Sequence, residues 1–129
     1  MGVVHLIEKR GAVRKPVTIE AEIISGKNRY KGRIGNISLN IYMKVGLFIQ
    51  FATDLDASLN DFLPPSKFII KFKIPSGEEF ELKCESMWIN IHQVPPHSLV
   101  NKLGMQVIED PPEKLRKFVK KLPSVDIGT

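Results

Sequence analysis

Apolar and polar residues alternate along most of the middle of this chain, and this alternation most restricts its fold. Successive side chains of a β-strand point to opposite faces, so alternation predicts strands with one buried face. Turn residues such as Pro75-Ser76-Gly77 separate the alternating segments. The predicted inward-facing residues are Val17, Ile19, Ala21 and Ile23; Ile41, Met43, Val45, Leu47 and Ile49; Phe68, Ile70, Phe72 and Ile74; and Phe80, Leu82, Cys84 and Trp88.

Further segments complete the predicted architecture. The stretch from Arg29 to Ser38 and a last strand near Gly104–Ile108 bring the number of strands to about six. Short turns between successive strands indicate an antiparallel meander that closes into a small barrel or sandwich. Residues 54–65 interrupt the series and are interpreted as an inserted loop. After Pro112 we expect a helix whose apolar face caps the barrel. That face contains Leu115, Phe118, Val119 and Leu122.

The composition is that of one globular domain. The 129 residues are 43% hydrophobic and 26% charged, which does not favour disorder. No apolar run approaches the roughly 20 residues that span a bilayer, and the N-terminal apolar stretch is too short for a signal peptide. The one cysteine, Cys84, excludes an internal disulfide framework. We therefore expect a cytoplasmic protein without a membrane span.

Two motifs near the N-terminus contain the candidate ligand-binding residues. Arg10 and Arg14 stand four apart, and arginine supplies planar, charged forks that bind phosphate oxygens or a guanine edge. After the next strand, Asn36 and Ser38 add short hydrogen-bonding groups. The alternatives are a solvated basic arm and a strand-end turn in which Asn36 and Ser38 bond the backbone. The pairing of the two motifs favours an anion or nucleotide site, and the net charge of +5 is compatible with an anionic ligand.

The order of these parts resembles that of PilZ domains, the bacterial receptor modules for the second messenger cyclic di-GMP. The resemblance covers about residues 8–122 and implies a mainly β fold, a six-stranded antiparallel β-barrel (split barrel) with a C-terminal α-helix. It implies a flexible N-terminal arm at 1–15, the barrel with its helix at 16–122 and a tail at 123–129. The segments that support it are Arg10-x-x-x-Arg14, Asn36-Ile37-Ser38, Ile74-Pro75-Ser76-Gly77 before a strand ending at Trp88, and Gly104-Met105-Gln106-Val107 before the helix.

The resemblance also implies a function. Arg10 and Arg14 would hold phosphates and guanine edges from the arm, Asn36 would bond a guanine edge, and Ser38 would bond base or phosphate. The arm would become ordered around the ligand and signal to a protein partner. The protein would be a non-catalytic nucleotide-binding receptor without a cofactor, its ligand being cyclic di-GMP.

One position departs from the family pattern. PilZ domains have glycine at the end of the second motif, and this chain has Ile41. Glycine permits φ > 0, which a β-branched residue rarely adopts. Either the preceding Asn40, which tolerates the left-handed region, makes the turn and belongs to the site, or the turn and the nucleotide pocket are lost. In the second case the chain is a degenerate PilZ-like protein-interaction domain.

The remaining chemistry-bearing residues favour structural roles. Trp88 shares an apolar face with Cys84, so both are predicted in the core. The three histidines lack metal-ligand spacing, and no catalytic constellation is recognisable. A basic barrel that binds RNA needs exposed aromatic rings among its basic residues. Tyr30 and Tyr42 are the only candidates, and alternation is compatible with the burial of either. Nucleic acid is therefore the least favoured partner.

Overall fold

The computed structural model describes residues 12–40, 42–54, 62–94 and 98–123, so that Arg10 and Ile41 lie outside the described residues. Every strand pair is antiparallel, and the strands close into a barrel in the order β1-β2-β3-β6-β5-β4. The predicted mainly β fold with a C-terminal helix is confirmed. The elements are β1 (Ala12–Ser25), β2 (Asn28–Asn40), β3 (Val45–Asp54), β4 (Lys67–Lys73), β5 (Glu79–Val94), β6 (Ser98–Val107) and α1 (Glu113–Lys121).

The strand order differs from the predicted meander. β3 pairs with β6, and β4 lies between β1 and β5. Two strands that follow each other in the sequence, β3 and β4, are therefore not neighbours in the barrel. Alternation indicates which face of a strand is buried, but it carries no information about which strand lies beside it.

The barrel interior is filled by the alternating apolar residues. The predicted inward faces of β4 and of the first half of β5 are buried as expected, and so is that of β1 except for Val17, which is partly buried. Helix α1 begins directly after Pro112, and its Leu115 and Val119 are completely buried in the same core. The prediction that the helix packs its apolar face on the barrel is thus confirmed. None of the described residues form a helix long and apolar enough to cross a membrane.

The core position of Cys84 gives a testable prediction. Its side chain is 0% exposed, and burial, with a smaller contribution from the charge of Glu109, raises the pKa of the thiol to about 12. The thiolate is the reactive form, so the folded protein should not react with Ellman's reagent at pH 8. One thiol per chain should react after unfolding in guanidinium chloride. Rapid reaction of the folded protein at pH 8 would contradict the buried position.

The predicted alternation fails at the turn between β2 and β3. Met43 belongs to the turn, is 39% exposed and has a positive φ of 62°. Asn40 remains in β2, and its Oδ1 accepts hydrogen bonds from the backbone N–H groups of Tyr42 (2.8 Å) and Lys44 (3.0 Å). The turn is therefore present, but Asn40 contributes to it as a hydrogen-bond acceptor, and among the described residues of the turn the left-handed one is Met43.

These two hydrogen bonds predict the effect of substitutions at Asn40. Asn40→Ala should lower the free energy of unfolding by about 1 kcal/mol, because two backbone donors lose their acceptor. Asn40→Asp keeps an acceptor oxygen and should remain close to the wild type. Urea denaturation measures both, with Asn28→Ala at the β1–β2 turn as the control. Equal stability of the alanine and aspartate variants would show that the Asn40 side chain does not support the turn.

Candidate functional site

Three of the predicted ligand-binding residues lie together on the outer face of the barrel. β1 and β2 are paired so that Arg14 is opposite Ser38, and Pro16 is opposite Asn36. Arg14, Asn36 and Ser38 line one open pocket of about 380 Å³. The antiparallel pairing of β1 with β2 therefore brings the two sequence motifs onto one surface.

A β-bulge in β2 explains the direction of the second motif. The register of β2 against β3 shifts between Ile34 and Asn36, and Ile34 and Ile37 are both completely buried. The extra residue, Gly35, reverses the alternation, because the side-chain period of a strand is two. Asn36 and Ser38 consequently point outward on either side of the buried Ile37.

Aromatic residues form the opposite wall of the pocket. The rings of Phe48 and Trp88 are stacked, with centroids 5.8 Å apart and an interplanar angle of 27°. The exposed Met87 also lines the pocket. Gly46 on β3 is opposite Ser38 and lines the pocket as well. A Cβ on Gly46 would lie 2.6 Å from Ser38 Oγ, so a side chain there would crowd the hydroxyl.

The prediction that Trp88 belongs to the core is wrong. Trp88 is 46% exposed, whereas Ser86 is buried. A register shift between β5 and β6 lies between Ser86 and Trp88 and turns the indole to the outer face. On this face the indole lies over Gly104, the residue opposite Trp88 on β6. A Cβ at Gly104 would overlap the indole Nε1. The absence of a side chain at Gly104 thus makes room for the ring.

The polar side chains of the pocket are available to a ligand. Within the described part of the chain, the side chains of Arg14, Asn36 and Ser38 form no hydrogen bond or ion pair. The alternative in which Asn36 and Ser38 bond the backbone of a turn is therefore not observed. A guanidinium, an amide and a hydroxyl facing an aromatic surface can bind an anionic group and a planar ring together.

Of the two remaining predicted site residues, Arg10 lies outside the described residues, and Asn40 is not in this pocket. The Oδ1 of Asn40 bonds the turn instead. Sequence reasoning missed Phe48 and Trp88, although a signal existed for Phe48: it lies between the inward-facing Leu47 and Ile49, so alternation directs it outward. In the described ranges, no three histidine, cysteine or carboxylate side chains are grouped as a metal site would require.

Helix α1 is hydrogen-bonded to β1 and to the turn between β2 and β3. Lys15, next to Arg14, donates a hydrogen bond from Nζ to the Lys120 carbonyl oxygen at 2.9 Å. Arg116 donates from Nε to the Met43 carbonyl oxygen at 3.3 Å and from Nη2 to Asp110 Oδ1 at 2.6 Å. The pocket is therefore connected to the C-terminal helix through β1 and through the β2–β3 turn.

Known proteins resemble this chain in structure rather than in sequence. No protein-family model and no curated protein shows a significant match to the sequence. Among solved structures, the PilZ domain with c-di-GMP of YcgR from Escherichia coli matches with a TM-score of 0.60 and 14% sequence identity, over 86% of this chain and 87% of that chain. Similarity at this level of identity concerns the fold alone. The chain has a PilZ-like fold.

Proposed function

We propose that this protein is a non-catalytic receptor for cyclic di-GMP, which binds in the pocket on the outer face of β1, β2 and β3. The observation that carries the proposal is the convergence of Arg14, Asn36 and Ser38 on one pocket opposite the Phe48–Trp88 stack. The bound dinucleotide named for the YcgR domain, which shares the fold, supports the choice of ligand.

Each side chain of the pocket matches one part of the ligand. The Arg14 guanidinium can form two parallel hydrogen bonds to a phosphate or to the O6 and N7 of guanine. The Asn36 amide can donate to and accept from a base edge, and the Ser38 hydroxyl can bond base or phosphate. The exposed indole of Trp88 offers a surface on which a purine stacks.

The N-terminal arm completes the proposed site. Arg10 is four residues before Arg14, so that at most about 14 Å of extended chain separates their Cα atoms. Arg10 would add a second guanidinium, and the arm would become ordered around the ligand, at a cost in conformational entropy. Lys15, which bonds the C-terminal end of α1, connects this event to the surface that a partner protein would contact.

Titration calorimetry with cyclic di-GMP tests the proposal directly. We expect a dissociation constant below about 100 μM. Cyclic di-AMP is the matched control, because it has the same phosphodiester ring with a different base edge, and it should bind at least about tenfold more weakly. The chain's one tryptophan, Trp88, should report binding independently through its fluorescence. A dissociation constant above about 100 μM would favour the alternative of a protein-interaction domain without a nucleotide site.

A further inference from the structure

The outer face of β2, β3, β6 and β5 continues beyond the pocket as a row of polar and basic residues. Arg33 on β2 is opposite Gln50 on β3, which is opposite Lys102 on β6, and Lys102 is opposite Asn90 on β5. All four side chains are directed away from the core. Since neighbouring strands lie about 4.8 Å apart, the row crosses roughly 14 Å of the surface.

A second row continues the outer face, and a lysine lies at its β2 end. Ala52, Val100 and His92 are opposite one another on β3, β6 and β5. Lys31 borders this row on β2 and lines an open groove of about 300 Å³ together with Arg33. Alternate residues of a strand are separated by about 6.6 Å, so Lys31 and Arg33 place two positive charges in succession along the groove.

These basic side chains are not neutralised by carboxylates of the described residues. Lys31, Arg33 and Lys102 form no ion pair or hydrogen bond there, whereas the nearby Arg29 is paired with Glu22 at 3.0 Å. Glu20 on β1 is opposite Arg33 and lines the same groove, Glu22 is opposite Lys31 but is paired with Arg29, and Asp54 ends β3. These carboxylates lie on β1 and at the end of β3, so the part of the face formed by β2 and β6 keeps a positive charge from Lys31, Arg33 and Lys102.

The basic rows adjoin the exposed aromatic stack. Phe48, Gly104 and Trp88 form the next row of the same face, two residues along β3, β6 and β5 from Gln50, Lys102 and Asn90. A sheet face that combines stacking rings with cationic side chains is typical of proteins that bind single-stranded nucleic acid. The combination depends on the exposure of Trp88, which the alternation of the sequence does not predict.

We propose that this outer face binds single-stranded nucleic acid, with one base stacked at Phe48–Trp88 and the phosphates that follow it contacting Lys102, Arg33 and Lys31. The Gln50 amide lies between Arg33 and Lys102, and the Asn90 amide lies on the other side of Lys102; both can bond base edges. An acidic peptide would use the charges but not the rings, and a sheet face offers no element that enters a duplex groove. The nucleic acid would share the Phe48–Trp88 stack with the dinucleotide pocket, but its three cations lie outside that pocket, so the proposal stands or fails separately from cyclic di-GMP binding.

Fluorescence anisotropy with a labelled 12-nucleotide single-stranded RNA of mixed sequence tests the proposal on the full chain. Three phosphate contacts predict that log K falls with log salt concentration with a slope of about −2. The variant Lys31→Ala/Arg33→Ala/Lys102→Ala should bind at least about tenfold more weakly in 50 mM salt. Lys71→Ala/Lys73→Ala/Lys114→Ala removes the same charge from elsewhere on the surface and is the matched control.

Several outcomes would overturn the proposal. The first is that RNA does not bind at 1 mM protein in 50 mM salt. The second is that the two triple variants lose RNA affinity equally. The third is that polyglutamate or duplex RNA displaces the labelled RNA as effectively as unlabelled single strands do. Circular dichroism and thermal melting establish that the variants are folded, as expected for surface substitutions. The outer-face triple variant should keep its affinity for cyclic di-GMP, so RNA binding and dinucleotide binding can fail separately.

Discussion

Arg14→Ala should weaken cyclic di-GMP binding by at least about 100-fold, or roughly 2.7 kcal/mol, without lowering the stability of the fold. Arg14 is exposed and has no hydrogen-bond partner among the described residues, so its removal breaks no contact seen in the barrel. In the complex it would form charge-assisted hydrogen bonds, each worth about 1.5–3 kcal/mol, and the truncation leaves the ligand atoms unpaired. Titration calorimetry and urea denaturation measure the two quantities.

Arg29→Ala is the matched control for this experiment. Like Arg14, Arg29 is exposed, but it lies on β2, at the end of the strand away from the pocket, and it pairs with Glu22. Its removal changes the net charge equally, so it should alter affinity by less than about twofold. Arg14→Lys keeps the charge without the fork and should fall between the wild type and Arg14→Ala. Equal losses from Arg14→Ala and Arg29→Ala would mean that Arg14 acts only through long-range attraction.

Alternation predicted most of the fold because it depends on a local rule. The buried faces of β1 and β4 follow the period of two that their sequences show, and the amphipathic face of α1 follows its own period. The order of strands was not predictable in this way, since β3 and β6 meet only through long-range packing. Met43 was assigned to a strand because its apolar side chain fits the alternation of β3, although the backbone turns there.

The site was predicted only in part, because alternation identifies the outward-facing residues of a strand only where no bulge interrupts it. Register shifts occur between Pro16 and Ile19, between Ile34 and Asn36, and between Ser86 and Trp88, all in strand segments that surround or adjoin the pocket. One extra residue reverses the direction of every later side chain of a strand, so alternation counted along the sequence fails beyond a bulge. The motif predicts Asn36 and Ser38 independently of alternation. For Trp88 alternation is the only signal, and it predicts the wrong face.

Gly104→Ala should reduce cyclic di-GMP affinity as much as Trp88→Ala does, by at least about tenfold, because stacking on one aromatic ring contributes about 1–3 kcal/mol per base. A Cβ at this position would overlap the indole of Trp88, because even the third nearest ring atom, Cδ1, would lie only 2.7 Å from that Cβ. The ring must therefore leave Gly104, which separates it from Phe48 and alters the wall of the pocket. Calorimetry measures the affinity, and a change in tryptophan fluorescence reports the displaced ring.

A double-mutant cycle distinguishes this mechanism from a general effect on β6. In a Trp88→Ala background there is no indole to displace, so adding Gly104→Ala should change the affinity by less than about twofold. The coupling energy between the two positions should then nearly equal the loss caused by either substitution alone. If Gly104→Ala weakens binding by the same factor in both backgrounds, the two losses add. The glycine would then act through the backbone of β6, and Trp88 would not be the group that it positions.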